Sequence, residues 1–389
     1  MISFENTEVA FKSKTNRDLN KAYWLFKIIA SPTFVKIGKI ATNFALKIHL
    51  PIKGIIKKTI FSQFCGGETI EDCEQAIKNL GSFGIGTILD YSVEGKTSSE
   101  DFEKTTLEII DTIKRAKESK TIPFAVFKVT GIARFDILEK ANTNEDSLSE
   151  IDKIELNGIK SRVERICQSG FDSNIPVFID AEETWIQDII DHISEEMMLK
   201  FNKEKAIIFN TLQMYRHDRI DFLEKAIVRA KNQHFHYGIK LVRGAYMEKE
   251  RARAEAKGYL SPIQKDKLSS DLDYNKALEI IVKNIDILAL CAGTHNEESS
   301  LYLTKLLQEN NIEENDQRIY FAQLLGMSDH ISFNLANARF NVAKYVPYGP
   351  ITEVMPYLLR RADENTSVAG QTGRELSLIL KEKERRKSN

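Results

Sequence analysis

The sequence predicts an α/β fold in which eight βα units close into a (βα)8 barrel. From about residue 84 onward, short apolar or β-branched runs alternate with longer amphipathic stretches, which is the pattern of a parallel sheet built from βα units. The runs number eight, and each is followed by a plausible helix, so a barrel fits better than an open doubly wound sheet. No GxGxxG turn lies between a strand and a helix, which argues against a Rossmann unit.

The eight predicted strands are taken in chain order. They are Ile85–Asp90, Phe124–Val129, Pro176–Asp180, Ile207–Leu212, Gly238–Arg243, Asp286–Gly293, Ile319–Leu324 and Ala343–Val346. Two segments between them have the composition of insertions. Glu139–Asn174 is predicted to form a loop and an additional helix, and Lys249–Asp271 extends the connection after the fifth strand.

Three domains follow from this pattern. Residues 1–66 form an N-terminal helical arm, residues 67–380 form the catalytic barrel, and residues 381–389 form a charged tail that is expected to fray. The arm carries no acidic residue between Asp18 and Glu68, and its lysines recur every few positions among apolar residues. It therefore lacks the roughly 18 uncharged residues that a transmembrane helix needs. Residues 20–60 either pack against the barrel or lie on an anionic membrane surface, and the two roles are compatible.

Composition excludes several classes of function. The 55 basic and 56 acidic residues leave a net charge of −1, so no global field attracts nucleic acid. The four cysteines and seven histidines show no metal-ligand spacing, and no metal is predicted. The cysteines lack the density of a disulfide scaffold, and no secretory signal is visible near the start of the chain. A cytoplasmic location, with peripheral contact at the inner face of the membrane as an extension, is predicted.

Polar side chains gather at the carboxyl ends of the predicted strands, where barrel active sites lie. They are Asp90, Lys128, Asp180, Gln213, Lys240, Arg243, Thr294, His295 and Tyr345. Each has an ordinary structural explanation, such as an outward-pointing lysine or a helix cap. Together they predict a charged, hydrogen-bonding cavity, because isolated charges in strands are costly to bury.

A helix near the end of the chain is predicted to bind a small carboxylate. Tyr357, Arg360, Arg361 and Glu364 fall on one helical face, beside a separate apolar face. A forked guanidinium pair holds both oxygens of a carboxylate in a fixed orientation. The alternative is a solvated charged face, which the octapeptide alone does not exclude. Asp90, Asp180 and Glu364 are available to balance the cations of an empty site.

These residues resemble those of proline dehydrogenase, a FAD-dependent family. The segments that carry the resemblance are Gly67-Glu68-Thr69-Ile70, Asp180-Ala181-Glu182-Glu183, Lys240 to Tyr246, Gly293-Thr294-His295-Asn296 and the Tyr-x-x-Arg-Arg-x-x-Glu signature of Tyr357 to Glu364. The Arg-Gly-Ala-Tyr segment at Arg243 is most similar to the mitochondrial-type branch. The resemblance implies a distorted (βα)8 TIM barrel with FAD across the strand ends and a final helix over their C-terminal face.

The resemblance also implies a role for individual residues. Asp180 and Lys240 match the catalytic positions. The substrate-binding positions are Lys128, Arg360 and Arg361 for the carboxylate, and Leu324, Tyr345 and Tyr357 for the ring. The flavin-contacting positions are Ala181, Gln213, Lys240, Val242, Arg243, Gly244, Ala245, Thr294, His295 and Glu364. Many bacterial members carry arginine at the position of Lys240 and lysine at that of Arg243, an exchange that keeps the charge but not the bidentate geometry.

The implied reaction is the oxidation of L-proline to Δ1-pyrroline-5-carboxylate, with hydride transfer from C5 to N5 of FAD. It is the first step of proline catabolism to glutamate. A membrane quinone is the implied electron acceptor, and a separate pyrroline-5-carboxylate dehydrogenase acts downstream.

Two alternative activities stay open. Hydroxyproline or a related cyclic imino acid is a second substrate class, although Tyr345 would crowd a ring hydroxyl. A lyase or aldolase that forms a Schiff base through Lys128 or Lys240 is a different class on the same barrel.

Overall fold

The computed structural model describes residues 2–31, 33, 36, 38, 53–93, 97–367 and 371–388, without the side chains of 362–367 and 371–372. Its eight strands are hydrogen-bonded in sequence order into a closed barrel. The strands are β1 Ile85–Tyr91, β2 Phe124–Lys128, β3 Val177–Asp180, β4 Ile208–Gln213, β5 Tyr237–Val242, β6 Leu288–Gly293, β7 Ile319–Leu324 and β8 Val342–Tyr348. The predicted α/β barrel and all eight predicted strands are confirmed, with shifts of a few residues at most of their ends.

Helices follow the strands, as the amphipathic stretches predict. Those of eight or more residues are α1 Asn16–Ile29, α2 Glu74–Gly81, α3 Ser99–Lys117, α4 Phe135–Asn144, α5 Glu150–Ser173, α6 Thr184–Phe201, α7 Arg219–Gln233, α8 Met247–Lys257, α9 Lys267–Lys283, α10 Glu297–Glu309, α11 Asp329–Asn337, α12 Met355–Ser367 and α13 Gln371–Ser388. The insertion after β2 includes the predicted additional helix, α5, which Ser149 caps at its start and Asn174 ends in the left-handed conformation.

The chain divides into two compact units, Met1–Glu94 with Gln323–Asn389, and Gly95–Ala322. The second unit has an aromatic layer inside its part of the barrel. The rings of Phe124 and Phe178 stack with centroids 4.4 Å apart, and Tyr320 of β7 meets Phe124 edge-on at 4.7 Å. Because β2 and β7 are not neighbours in the strand order, this contact lies in the barrel interior. Phe209 of β4 completes the layer.

The first unit pairs β1 with β8 in parallel, from Ile85 opposite Val342 to Tyr91 opposite Tyr348. Its apolar cluster joins the N-terminal segment to the end of the chain. Leu19, Phe26 and Ile29 of α1 are buried in one cluster with residues of α12 and α13. The described part of the arm therefore packs within its own unit, as one of its two interpretations predicts. Residues 39–52 of the arm lie outside the described residues.

A buried ion pair fixes the loop after β7 in the same unit. Lys344 of β8 is fully buried, and its ammonium donates to Asp329 at 2.8 Å and to the carbonyl of Met327 at 2.5 Å. Gln63 donates to the carbonyl of Gly326 at 2.9 Å, and the N–H of Ser328 donates to Glu375 of α13. The loop that follows Leu324 is thus held from three parts of the chain.

The expectation of a frayed tail is wrong, because residues up to Ser388 continue α13. Glu382 is fully buried and accepts from Arg385 and Arg386, and Arg386 also donates to the carbonyl of Phe11 at 3.0 Å. Contact with the arm orders a segment that its charge alone would leave in solvent. The domain boundaries at 66 and 380 stay predictions. Across the described ranges, no helix combines the length and apolar character needed to cross a membrane.

Candidate active site

The polar ends of the strands in the Gly95–Ala322 unit centre on an ion pair. The ammonium of Lys240 donates to Asp180 at 2.5 Å, and the side chains are only 9% and 13% exposed. Lys240 is on β5 and Asp180 is on β3, so the contact spans β4 on the interior face. The ammonium also lies 5.9 Å from the centroid of Phe178, which places the pair directly above the aromatic layer. A buried charge pair on an apolar floor interacts more strongly than the same pair in water.

Arg243 is held by protein groups on three sides. Its guanidinium donates to Asp271 at 2.5 Å, to the hydroxyl of Thr294 at 2.7 Å and to the hydroxyl of Ser299 at 2.9 Å. Its central carbon lies 4.4 Å from the ring centroid of Tyr274. The structure therefore brings Arg243 and Thr294 together, and it fixes the plane of the guanidinium. Burial raises the pKa of Asp271, but hydrogen bonds from Lys267 and then from Arg243 outweigh it and keep this pKa below its usual range.

The chain reverses after β5 at a glycine that no other residue could replace without strain. Gly244 has a φ of +130°, and an added Cβ would lie 2.5 Å from the ring of Tyr215. Val242 is half-buried, while Gly244 and Ala245 are exposed. The backbone at Gly244 and Ala245 is therefore accessible.

The other positions of this unit lie at the predicted strand ends. Gln213 is buried at the end of β4 and donates to the carbonyl of Glu182 at 2.7 Å. Ala181 is buried directly after β3. Lys128 ends β2 opposite Asp180 in the sheet register, and His295 follows β6, both half-buried. Lys128, Asp180 and Lys240 thus lie along three strand ends of one unit.

The remaining site residues belong to the Met1–Glu94 and Gln323–Asn389 unit. Tyr345 is 6% exposed and lies opposite Ile88 in the pairing of β8 with β1. Leu324 packs against the apolar cluster that includes Tyr357. Asp90 is buried at the end of β1 and accepts from the hydroxyl of Ser92 at 2.6 Å.

The arginines of α12 differ in burial. Arg361 is 7% exposed, and its guanidinium carbon lies 5.1 Å from the ring centroid of Tyr357 one turn earlier. Arg360 is half-buried. A solvated charged face is therefore wrong for Arg361 and Tyr357, which are both buried. The side chain of Glu364 is not among those that the structure describes.

Sequence reasoning did not predict two hydrogen-bonded pairs that organise this region. Thr130 follows β2, and Glu182 follows β3; the two are joined by hydrogen bonds from both the backbone and the hydroxyl of Thr130. Glu250 of α8 receives the same two bonds from Thr184, each at 2.7 Å. The four-residue acidic segment at Asp180 pointed to Glu182, but nothing local indicates its partner. In the parts of the chain that the structure covers, no group of three or more potential ligands forms a metal site.

Comparisons with known proteins point to one family. A family model described as proline dehydrogenase matches residues 73–374. The chain is 32% identical to proline dehydrogenase 1, mitochondrial, of Dictyostelium discoideum, over 98% of this chain and 74% of that protein. It is also 32% identical to the carbapenem antibiotics biosynthesis protein CarD of Pectobacterium carotovorum, over 93% of this chain and 94% of that protein.

A solved structure shares the fold. The structure is proline utilization A from Bdellovibrio bacteriovorus, inactivated by N-propargylglycine, and it superposes with a TM-score of 0.73. The superposition covers 93% of this chain and 38% of that chain at 19% identity. At that identity the likeness shows the fold alone.

Proposed function

Because this chain belongs to the proline dehydrogenase family, we propose that it oxidises L-proline to Δ1-pyrroline-5-carboxylate with FAD as its cofactor. Family membership makes the chain an oxidoreductase of proline catabolism. The observation that carries the finer proposal is the buried Lys240–Asp180 pair at the strand ends, 2.5 Å apart above an aromatic layer. It keeps a cation at the strand ends, where a reaction that accumulates negative charge would be favoured.

The donor set of the Gly95–Ala322 unit fits a flavin dinucleotide. The isoalloxazine ring and pyrophosphate are rich in hydrogen-bond acceptors, and the side chains at the ends of β4, β5 and β6 include the donors Gln213, Lys240, Arg243, Thr294 and His295. The exposed backbone at Gly244 and Ala245 allows a flat ring to approach closely. We assign Ala181, Val242 and Glu364 to the same cofactor through the family motif. When bound, FAD supplies a two-electron acceptor for the substrate.

The substrate carboxylate is assigned to Lys128, Arg360 and Arg361. Guanidinium groups hold a carboxylate through paired hydrogen bonds, and Arg361 is already fixed by its buried contact with Tyr357. Leu324, Tyr345 and Tyr357 supply apolar surface for the ring. The role of these side chains is to orient the ring and exclude water, which is an advantage of positioning.

Lys240 is assigned the role of stabilising negative charge on the reduced cofactor, with Asp180 holding its ammonium in place. An ammonium that donates to a carboxylate has no lone pair for attack on a carbonyl. This arrangement disfavours a Schiff-base lyase that uses Lys240. Within the favoured class, hydroxyproline stays the alternative substrate.

The electron acceptor and the location are proposed in addition, on the basis of the proposed reaction. We assign a membrane quinone as acceptor, a separate pyrroline-5-carboxylate dehydrogenase as the next enzyme, and a cytoplasmic location with peripheral membrane contact through residues 20–60. Support for that contact comes from α1, where Trp24 is 58% exposed and Ile28 is 52% exposed beside the exposed Lys21 and Lys27. Exposed apolar residues among lysines suit an anionic lipid surface.

The membrane proposal needs a variant that spares the core. Trp24→Ser with Ile28→Ser removes exposed residues only, whereas deletion of the arm would uncover the buried cluster around Phe26. Flotation with vesicles that contain anionic lipid should decrease in the double variant. Unchanged flotation would remove the proposal.

A spectrum tests the main proposal. The purified protein is expected to be yellow, and anaerobic L-proline should bleach the flavin absorbance in proportion to the bound cofactor. trans-4-Hydroxy-L-proline in the same assay separates the two substrate classes. Borohydride that crosslinks substrate to the protein would instead support the lyase, and a colourless protein that FAD does not reconstitute would contradict the proposal.

A further inference from the structure

Glu182 is a buried carboxylate at the edge of the site, and the mechanism above gives it no role. It follows β3, two positions after Asp180, and is 3% exposed. A carboxylate this deeply buried is costly unless hydrogen bonds satisfy it. Its contacts therefore show what it does in the fold.

The carboxylate holds the loop after β2. One oxygen accepts the backbone N–H of Thr130 at 3.0 Å, and the other accepts the Thr130 hydroxyl. Thr130 lies two positions after Lys128, which is assigned to the substrate carboxylate. This loop begins after Lys128, which lies opposite Asp180 in the pairing of β2 with β3.

The main chain of Glu182 is held just as firmly. Its N–H donates to the side chain of Gln187 at 2.7 Å, and its carbonyl accepts from Gln213 at 2.7 Å. The side-chain amide of Gln187 donates to Asp191 at 2.8 Å, and Asp191 also accepts from Arg219 at 2.7 Å. Glu182 is thus a rigid anchor, and the Thr130 loop is the element that it fixes.

We propose that Glu182 is a positioning residue that holds the loop bearing Lys128 and controls how strongly that cation binds the substrate carboxylate. The proposal rests on the proposed function, because it takes Lys128 as a carboxylate ligand. Glu182 itself does not touch the substrate in this role. Its effect passes through Thr130 and through its charge.

The charge of Glu182 changes in the neutral pH range. Burial raises the pKa of Glu182 to about 7, while the two Thr130 bonds and Lys128 lower the pKa and Glu183 raises it. The charged groups that face it are Lys128 from β2 and Glu183 from its own segment, and Asp191 of α6 reaches it through Gln187. An ionised Glu182 partly neutralises the positive potential of Lys128 and so weakens its attraction for a ligand carboxylate. A protonated Glu182 does not weaken that attraction. Carboxylate binding should therefore weaken as the pH rises through 7.

Glu182→Gln tests this proposal in the FAD-loaded enzyme. Glutamine has nearly the same shape, can still bond Thr130 and stays neutral. The probe is tetrahydrofuran-2-carboxylate, a ring carboxylate with no titratable amine, and its Kd is read from the flavin spectrum. From about pH 6 to about pH 8.5, the wild-type Kd should rise by about tenfold, the effect of one pKa unit of coupling, and the variant should show a flat profile.

Two further variants separate position from charge. Glu182→Ala loses both Thr130 bonds, so its KM for proline should rise by about tenfold at every pH while kcat changes less. Glu250→Gln is the matched control, because it removes a buried carboxylate with the same two bonds to a threonine. Burial also raises the pKa of Glu250, but its partner Thr184 does not follow a predicted substrate ligand. It should keep the wild-type pH profile.

A second measurement does not depend on activity. Since the folded-state pKa of Glu182 lies above its ordinary value of 4.5, the folded protein binds more protons between those values and loses stability as the pH rises through them. The unfolding temperature of the wild type should fall relative to Glu182→Gln over that window.

The outcomes are distinct. A wild-type pH profile in Glu182→Gln, or equal flattening in Glu250→Gln, overturns the proposal even when proline bleaches the flavin. A protein that proline does not reduce refutes the proposed function instead, and the unfolding comparison still reports whether Glu182 titrates as described.

Discussion

Two lysines on barrel strands each pair with an aspartate, but their side chains point in different directions. Lys240 of β5 contacts Asp180 at 2.5 Å inside the barrel, and Lys344 of β8 contacts Asp329 of α11 at 2.8 Å. The Lys240 side chain is 9% exposed, whereas that of Lys344 is 0% exposed and is also bonded to the carbonyl of Met327. Both lysines lie within barrel strands and contact an aspartate, so the direction of the side chain separates the pair at the strand ends from the pair that holds a loop.

The buried environment shapes both charges of the Lys344 pair. Burial lowers the pKa of Lys344, against the attraction of Asp329. The pKa of Asp329 is lowered as well, because Lys344 and Lys14 outweigh the effect of burial. The carboxylate of Asp329 therefore contributes stability above the ordinary pKa of an aspartate and loses it as the pH falls through the depressed value, whereas the lowered pKa of Lys344 reflects the cost of burying its charge.

The largest expected effect on stability is at Lys344. Lys344→Met leaves Asp329 buried without its main cation and should lower the free energy of unfolding by about 3–5 kcal/mol. Chemical denaturation measures this, and the flavin that remains bound per folded molecule should still react with proline. Adding Asp329→Asn should recover part of the loss. Equal stability of wild type and Lys344→Met would break the comparison.

Lys240→Met should act on the reaction instead. Removing a fixed cation beside developing negative charge is expected to lower kcat by a factor of about 10²–10³. The loss of unfolding free energy should be smaller than for Lys344→Met, because the Lys240 side chain is 9% exposed whereas that of Lys344 is 0% exposed. Stopped-flow reduction by proline measures the step, with Lys240→Arg as a control that keeps the charge. Near-normal reduction in Lys240→Met would show that this pair is structural too.

A third buried cation, on α12, tests the role of that helix. Arg361→Ala should raise the KM for proline by more than about tenfold while FAD stays bound, since a charge-assisted hydrogen bond in a dry site contributes about 1.5–3 kcal/mol. Arg361→Lys keeps the charge but loses the forked guanidinium geometry. Its KM for proline should therefore lie between those of the wild type and Arg361→Ala. An unchanged KM would contradict the assignment of Arg361 to the substrate carboxylate.

The smallest effect is expected where both partners meet solvent. Arg165 and Glu103 form a two-bond pair at 2.7 and 2.9 Å, but their side chains are 43% and 44% exposed. Arg165→Ala should change the free energy of unfolding by at most about 1 kcal/mol and leave proline reduction unchanged. A loss comparable to that of Lys344→Met would show that burial is not the deciding variable.

Much of the site could be predicted from local patterns. The eight strands were visible because apolar runs and their spacing are local properties of the chain, and polar residues at the run ends indicated the functional edge. The clustering of Tyr357, Arg360 and Arg361 on one helical face follows from helix geometry. Family motifs predict roles for these positions without reference to any tertiary contact.

Local sequence is sufficient to predict the barrel, the polar residues at the strand ends and the arginine-bearing helix, because each depends on neighbours along the chain. Contacts between distant segments bring Lys240 to Asp180 across a strand, direct Lys344 to α11, and join Glu182 to Thr130, 52 positions earlier. They also order the charged tail against the arm. The physical reason is that a buried charge is defined by its partner, and these partners come from distant parts of the chain.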